Sequence, residues 1–307
     1  MNEVLVSKPT PVRALATDDP VEVLRFAVAA FGSGNVALAT LVQIRGGAAR
    51  ALGAHMAIAE DGRFCGYVSG GCVEAAVASE ALLAMEEGRD RAVRFGDGSP
   101  FFDIVLPCGG GITVAIHLLR DIDALKDVLA GLNQRHPTAL AYSPEQGRLV
   151  AIAPPQPTGW SNNRFLTCYR PKTRVVISGQ AIEAEMVSRI AEAAGYEIAR
   201  GTREMAVTAV PALIDPYTAV VLFHHDLEIE MPVLEVALAS SAFYIGALGS
   251  TRTHRNRVQR LELSGTDRQQ IDRIKAPIGM FGPTKDATAL ALSVLADIAA
   301  ARLVADK

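Results

Sequence analysis

The chain has 307 residues, half of them hydrophobic and 21% charged, with a formal net charge of −3. That length accommodates about two domains with sizeable cores, and the near balance of charge leaves no electrostatic footprint for nucleic acid, although a local basic cluster can still take one phosphate. The four cysteines, Cys65, Cys72, Cys108 and Cys168, are too sparse for a disulfide scaffold and are expected to be thiols in a reducing compartment.

The opening stretch MNEVLVSKPTPVRALATDDP lacks the basic start, apolar centre and cleavage site of a secretory signal, and no uninterrupted apolar run reaches membrane-spanning length. A cytoplasmic protein with no membrane partner is therefore expected. PVEVLRFAVAAFGSG predicts a helix from Pro20 to Gly32 or Gly34, and NVALATLVQI predicts a strand. AHMAIAEDGRFCGYV predicts a hairpin turning at Asp61-Gly62. A helix follows Cys72, then strands at RAVRF, GITVAIHL, TALAYS and RLVAIA, with a helix at DIDALKDVLAGLNQ. Strands and helices without regular alternation indicate an N-terminal α+β domain over residues 12–153.

The segment APPQPTGWSNNRFLTCYRPK carries four prolines and no helical or strand periodicity, so residues 154–172 are expected to be a linker. Beyond it the order alternates regularly. RVVIS is a buried strand, AIEAEMVSRIAEAA a helix with Ile182, Met186, Val187 and Ile190 on its apolar face, and YEIA the next strand. TAVVLF, VLEVALAS, AFYIGAL, TRTHRNRVQRLEL and ATALALSVLADIAAARL continue the pattern. Residues 173–307 thus predict an α/β domain of Rossmann type with a mainly parallel sheet.

Two loops stand out. SGGCVE places Ser69, Gly70, Gly71, Cys72 and Glu74 at the mouth of a helix whose buried face is Val73, Val77, Ala81 and Ala84. Free N–H groups and the helix dipole favour an anion there, whether thiolate, phosphate or carboxylate. The plainer reading is a tight turn beside a small buried cysteine. LPCGGGI sets Cys108 before Gly109, Gly110 and Gly111; three glycines together point to close approach by a ligand or by another backbone. A structural zinc site is disfavoured by the absence of any C-x-x-C pair or nearby histidine, while a dithiol pair of Cys72 and Cys108 stays open.

In the second half, VVISGQAIEAEM stands where a G-x-G-x-x-G fingerprint belongs, with only Gly179 present, and YEIARGTRE ends in Ala199, Arg200 and Gly201 where a ribose-binding acid is expected. Ordinary NAD binding is not supported, and Arg200 and Arg203 are either phosphate ligands or solvated charges. GALGSTRTHRNR is the better anion candidate: Gly249, Ser250 and Thr251 lead into a helix, and Arg252, His254, Arg255 and Arg257 add positive charge. His224 and His225 read as structural or capping residues.

GGAARALGAHMAIAEDGRFCGYVSGGCVEAAV, GDGSPFFDIVLPCGGGI and AFYIGALGSTRTHRNRVQRL together resemble the xanthine dehydrogenase accessory protein family, XdhC/CoxI. The resemblance implies a cytoplasmic maturation factor for molybdenum hydroxylases. Such a factor binds molybdopterin, the molybdenum cofactor, while a cysteine desulfurase helps add a terminal sulfur, and passes it to the apoenzyme. It also implies a homodimer. Carried onto this chain, it marks Cys72 and Cys108 as the motif cysteines, available for molybdenum or sulfur contact, with Gly70, Gly71, Gly109 and Gly110 beside them and Gly249, Ser250, Arg252 and His254 in the basic loop. The family's Gly-Ala-Gly turn, its acid after the second Rossmann strand and its Gly-Leu-Asp-Ile-Gly segment read here SGQAIEA, EIARGT and IGMFGPT. These departures move the expected function to the N-terminal loops. The competing expectation is an NAD(P)-dependent oxidoreductase using the Rossmann-type domain.

Overall fold

A computed structural model describes residues 9–97, 99, 109–153, 157–179, 182–201 and 210–305. Two compact units result, Met1–Pro171 and Lys172–Lys307.

The first unit runs β1 (Val12–Leu15), α1 (Pro20–Phe31), β2 (Val36–Arg45), β3 (His55–Ala59), β4 (Arg63–Gly66), α2 (Glu74–Glu87), β5 (Arg91–Gly96), β6 (Gly111–Leu118), α3 (Asp123–Asn133), β7 (Thr138–Ser143), β8 (Arg148–Ile152), β9 (Gly159–Ser161) and β10 (Arg164–Tyr169). Asp19 starts α1 by accepting from Val21 N at 2.9 Å, with Pro20 preset for the first turn. Gly88, at φ 67°, ends α2 in the left-handed conformation. Six strands form one sheet in the order β1-β4-β3-β2-β6-β5. β2 lies inside it, and its first seven residues are buried because both faces are covered. Ala37, Ala39 and Leu41 pack toward Val77, Ala81 and Ala84 of α2; Val36 and Leu38 pack toward Leu24 and Ala27 of α1 and Leu125 and Val128 of α3. Hence helices flank both faces of an α+β layer, with the alternation of β2 dividing its residues between two cores.

The proline-rich segment read as a linker is in large part strand. Antiparallel β9 and β10 complete a four-stranded sheet ordered β8-β7-β10-β9. The prolines masked a short RFLTCY strand whose Phe165 and Leu166 are buried. Residues 154–156 lie outside those described.

The second unit runs β11 (Arg174–Ser178), α4 (Ile182–Ala193), β12 (Glu197–Gly201), α5 (Val210–Leu213), β13 (Thr218–Leu222), α6 (Leu227–Leu238), β14 (Tyr244–Ala247), α7 (Thr251–Leu263), α8 (Arg268–Ile271), β15 (Ile274–Lys275) and α9 (Ala287–Ala305). Its sheet is parallel throughout, ordered β12-β11-β13-β14-β15. Val175, Ile177, Ala219 and Val221 face α4 and α9, whereas Val176, Val220 and Leu222 face α6 and α7. The chain order reverses between β11 and β13, so their carboxyl ends open the crevice where ligands bind in doubly wound sheets. Ile182 is 69% exposed rather than core; α4 instead buries Ala184, Val187 and Ala191. Among the described residues α9 alone is long and apolar enough to cross a bilayer by composition. Its Ala291, Val294, Leu295 and Ile298 are buried in the unit's own core.

Candidate functional site

The register of the six-stranded sheet brings the loop ends together. Arg45 and Gly96 both pair with Gly111, and Met56 pairs with Gly66. The segments leaving β2, β4 and β5, and the one entering β6, therefore emerge at the same end.

The SGGCVE loop is fixed from beneath. Glu74, 1% exposed, accepts from Val68 N at 3.2 Å, Ser69 N at 2.8 Å and Val73 N at 3.2 Å, and from the Ser69 hydroxyl at 3.0 and 3.1 Å. A carboxylate that gathers three backbone N–H groups acts as a peg for the turn. Its place is the first residue of α2, so it also meets the positive end of the dipole. Above the peg, Gly70, Gly71 and Cys72 are exposed, with Cys72 Sγ 3.3 Å from the Ser69 hydroxyl. Gly71 has φ 110° with open space around it, so its role is conformational. Cys72 is thus presented to solvent, which rules against the plainer reading of a small buried hydrophobe. That description fits Cys65, which is fully buried and whose thiol burial pushes up to about 12.

Cys108 lies outside the described residues, and with it the pairing of Cys72 and Cys108. The glycines that follow it divide. Gly109 has φ 68° and open space. Gly110 and Gly111 have packing reasons: a Cβ on Gly110 would collide with the backbone of Arg45 and Gly47, and one on Gly111 with Asp97 O and the Arg45 guanidinium. The close approach expected at those two glycines is by another part of the chain. Among the described residues no three His, Cys, Asp or Glu side chains gather as a metal site.

The 46–54 loop lies between the two glycine loops. Gly47 abuts Gly110, and a Cβ on Gly70 would sit 3.5 Å from Ala49. From the same loop Arg50 donates to Ser69 O at 3.4 Å and pairs with Asp18 at 2.6 Å. The Tyr67 ring carries the guanidinium of Arg13 at 4.1 Å and that of Arg50 at 5.3 Å. Beside them a cleft of about 240 Å³ reaches down to His55 and Tyr169. His55 bonds Thr40 at 3.0 Å and the Tyr169 hydroxyl, and burial lowers its pKa to about 4, so the ring is neutral at pH 7.

In the second unit a cleft of about 780 Å³ opens at the carboxyl edge. Gly249, Ser250 and Thr251 line it, facing Met280 and Phe281. Ser250 caps α7 by accepting from Thr253 N at 3.2 Å. The basic residues expected there divide. Arg252 is exposed. His254 turns inward: its Nδ1 is buried without a partner among the described residues, and burial, then Arg257 and Arg268, lower its pKa. Arg257 is fully buried against Glu230 and donates to Leu248 O at 2.9 Å, so it holds the fold rather than a ligand. Arg200 pairs with Glu185, and Arg203 is outside the described residues. Gly179, at φ 130°, lets the turn after β11 pass against Phe223.

This geometry can be set against known proteins. Residues 175–298 match the XdhC Rossmann domain model and residues 32–96 the XdhC and CoxI family model. A protein of Escherichia coli (strain K12), named molybdenum cofactor insertion chaperone PaoD, is 50% identical over 294 residues, 95% of this chain and 92% of that protein. The chain belongs to the XdhC and CoxI family. A more distant relative from Bacillus subtilis (strain 168), named as a probable xanthine dehydrogenase component, is 23% identical over 309 residues, 85% of this chain and 91% of its own. A crystal structure from Bacillus halodurans, described as a xanthine dehydrogenase, aligns with TM-score 0.71 at 21% identity, covering 92% of this chain and 96% of that one. It shows the shared fold.

For this XdhC/CoxI member, the sequence singles out Cys72 and its loop, which the structure leaves exposed, and does not single out Asp18, Arg50, Tyr67 and His55, which line the cleft beside it. Arg50 had a legible signal, an arginine between glycines in a loop joining two buried strands. Asp18 and Tyr67 come together with it only through the parallel pairing of β1 with β4.

Proposed function

We propose that the chain is a molybdenum cofactor maturation chaperone of the cytoplasm. It holds molybdopterin as cargo, shields it while a cysteine desulfurase supplies the terminal sulfur, and inserts it into an apo molybdenum hydroxylase of the xanthine dehydrogenase or CO dehydrogenase type. It works as a homodimer. The observation that carries this reading is the 50% identity, across 95% of the chain, with a protein named as a molybdenum cofactor insertion chaperone. The donor set fits such cargo. An exposed thiol at Cys72 is a soft ligand suited to a sulfur-accepting metal, and the exposed backbone at Gly70 and the open space at Gly71 and Gly109 admit a ligand closely. Arg13 lies along the same sheet end, over the Tyr67 ring, where its charge favours an anionic group; the charge of Arg50 is matched by Asp18. Cys108 and the Gly249–Thr251 turn are assigned the supporting roles that the family resemblance implies.

The test is molybdenum and pterin analysis of protein purified from a host that makes the cofactor, beside Cys72→Ala and Cys108→Ala. The proposal expects cofactor in the parent and its loss from at least Cys72→Ala. Equal cofactor in all three, together with unchanged client activation, would remove these loops from the site.

A further inference from the structure

We propose that the cleft beside the Cys72 loop is a receptor for the 2-amino-4-oxopyrimidine edge of a pterin ring. This inference rests on the cargo-chaperone reading for its biological sense and on the cleft's own chemistry for its ligand. Four observations carry it.

The first is size. A cavity of about 240 Å³ falls below the range of about 300–1,000 Å³ that takes drug-sized ligands, so it suits one ring system and not a whole nucleotide. The second is an unused hydroxyl: Thr167 is 6% exposed and lines the cleft, and its side chain makes no hydrogen bond to the described residues. The hydroxyl meets the cleft's solvent and can pair with a ligand without giving up a protein bond. The third is a carboxylate at the rim. Asp18 gives one oxygen to Arg50 at 2.6 Å, and its other oxygen has no partner among the described residues. An ionised carboxylate accepts at about four lone-pair positions, enough to take both the ring N3–H and the 2-amino group while keeping Arg50. The fourth is the neutrality of the floor. His55 is uncharged and spends both nitrogens on Thr40 and Tyr169, so the interior offers no full charge and suits a neutral heterocycle.

Arg50 ties this cleft to the thiol. It is held on one side by Asp18 and over the Tyr67 ring, and on the other it reaches Ser69 O, whose residue contacts Cys72 Sγ at 3.3 Å. Arg50 thus links Asp18 to the Cys72 loop, so one ligand that holds its pyrimidine edge on Asp18 has the thiol loop beside it. The organic end of the cargo is gripped in the cleft, and its metal end is left at the exposed thiol.

The same pyrimidine edge occurs on guanine, so the test separates the two. Unsubstituted pterin is titrated by its fluorescence into the full chain, beside lumazine, which replaces the 2-amino group with oxygen, and beside guanosine. The proposal expects saturable pterin binding, weakened about tenfold for lumazine and about fivefold or more by Asp18→Ala and by Thr167→Val, with guanosine weaker than pterin. Asp18→Asn, similar in shape and uncharged, should weaken pterin binding in the same direction. Absence of pterin binding, lumazine binding as tightly, or variants equal to the parent would overturn the proposal; guanosine binding tighter than pterin would replace the ligand. Cofactor retained by Asp18→Ala at the parent's level would remove the cleft and leave the chaperone reading standing. Asp18-dependent pterin binding in a chain that never carries molybdenum would do the reverse.

Discussion

Replacing Glu74 by alanine tests whether the Cys72 loop is set by its buried peg. The substitution strands the N–H groups of Val68, Ser69 and Val73, all buried, and frees the Ser69 hydroxyl. Three stranded buried donors cost about 3–9 kcal/mol. Removing a carboxylate that was itself desolvated returns part of this, so a net loss of about 2–3 kcal/mol is expected. In a unit of this size each kcal/mol moves the midpoint by about 2–4 °C, which predicts a fall of about 4–12 °C in the transition of the first unit. Scanning calorimetry reads that fall. Native-state thiol labelling reads the loop: Cys72 should label faster in Glu74→Ala, with fully buried Cys65 silent as an internal control. Glu74→Gln should be milder than the alanine variant, because its amide oxygen can keep Val68 N and Ser69 N while its NH2 opposes only Val73 N. A midpoint within about 1 °C of the parent with unchanged Cys72 labelling would refute the view that Glu74 holds the loop.

The glycines give a paired prediction. Gly110→Ala should cost at least about 2 kcal/mol by forcing apart the 45–47 backbone, whereas Gly109→Ala, with open space and φ 68°, should cost about 1 kcal/mol of backbone strain; urea unfolding separates them. In the second unit, Glu230→Ala should destabilise by about 3–5 kcal/mol by leaving Arg257 buried and unpaired, and the double variant Glu230→Leu/Arg257→Met should recover most of it. Burial lowers the His55 pKa to about 4, below its unfolded value of about 6.5. Between these values the unfolded chain binds the extra proton, so stability is full above pH about 6.5 and falls by up to about 3 kcal/mol as pH drops toward 4. Urea unfolding across that window should show a shallower pH dependence for His55→Gln than for the parent.

The alternation of β2, the Asp61-Gly62 hairpin and the helix face of Val77, Ala81 and Ala84 were legible because each is a local pattern with one period. Cys72 was legible for a similar reason, since two glycines before a helix mark a turn that needs glycine's wider backbone range, as Gly71 at φ 110° shows. What escaped was assembled by pairing over long separations. β10 hid among prolines because its identity as a strand comes from its partner β7. Arg257 read as one more basic residue on a charged helix, and only burial against Glu230, 27 positions away, makes it structural. Gly110 and Gly111 looked like ligand contacts because close approach by backbone and by ligand leaves the same mark in sequence. The cleft of Asp18, Arg50 and Thr167 joins three segments spread over most of the first unit, and no spacing rule connects them.

The most direct test of the central claim is insertion itself. Apo molybdenum hydroxylase is incubated with limiting molybdenum cofactor, with and without the purified chain, and the activity that develops is measured. The account predicts that the chain raises the yield of active enzyme stoichiometrically and that Cys72→Ala does so poorly. Equal activation with the chain, without it and with the variant would contradict it.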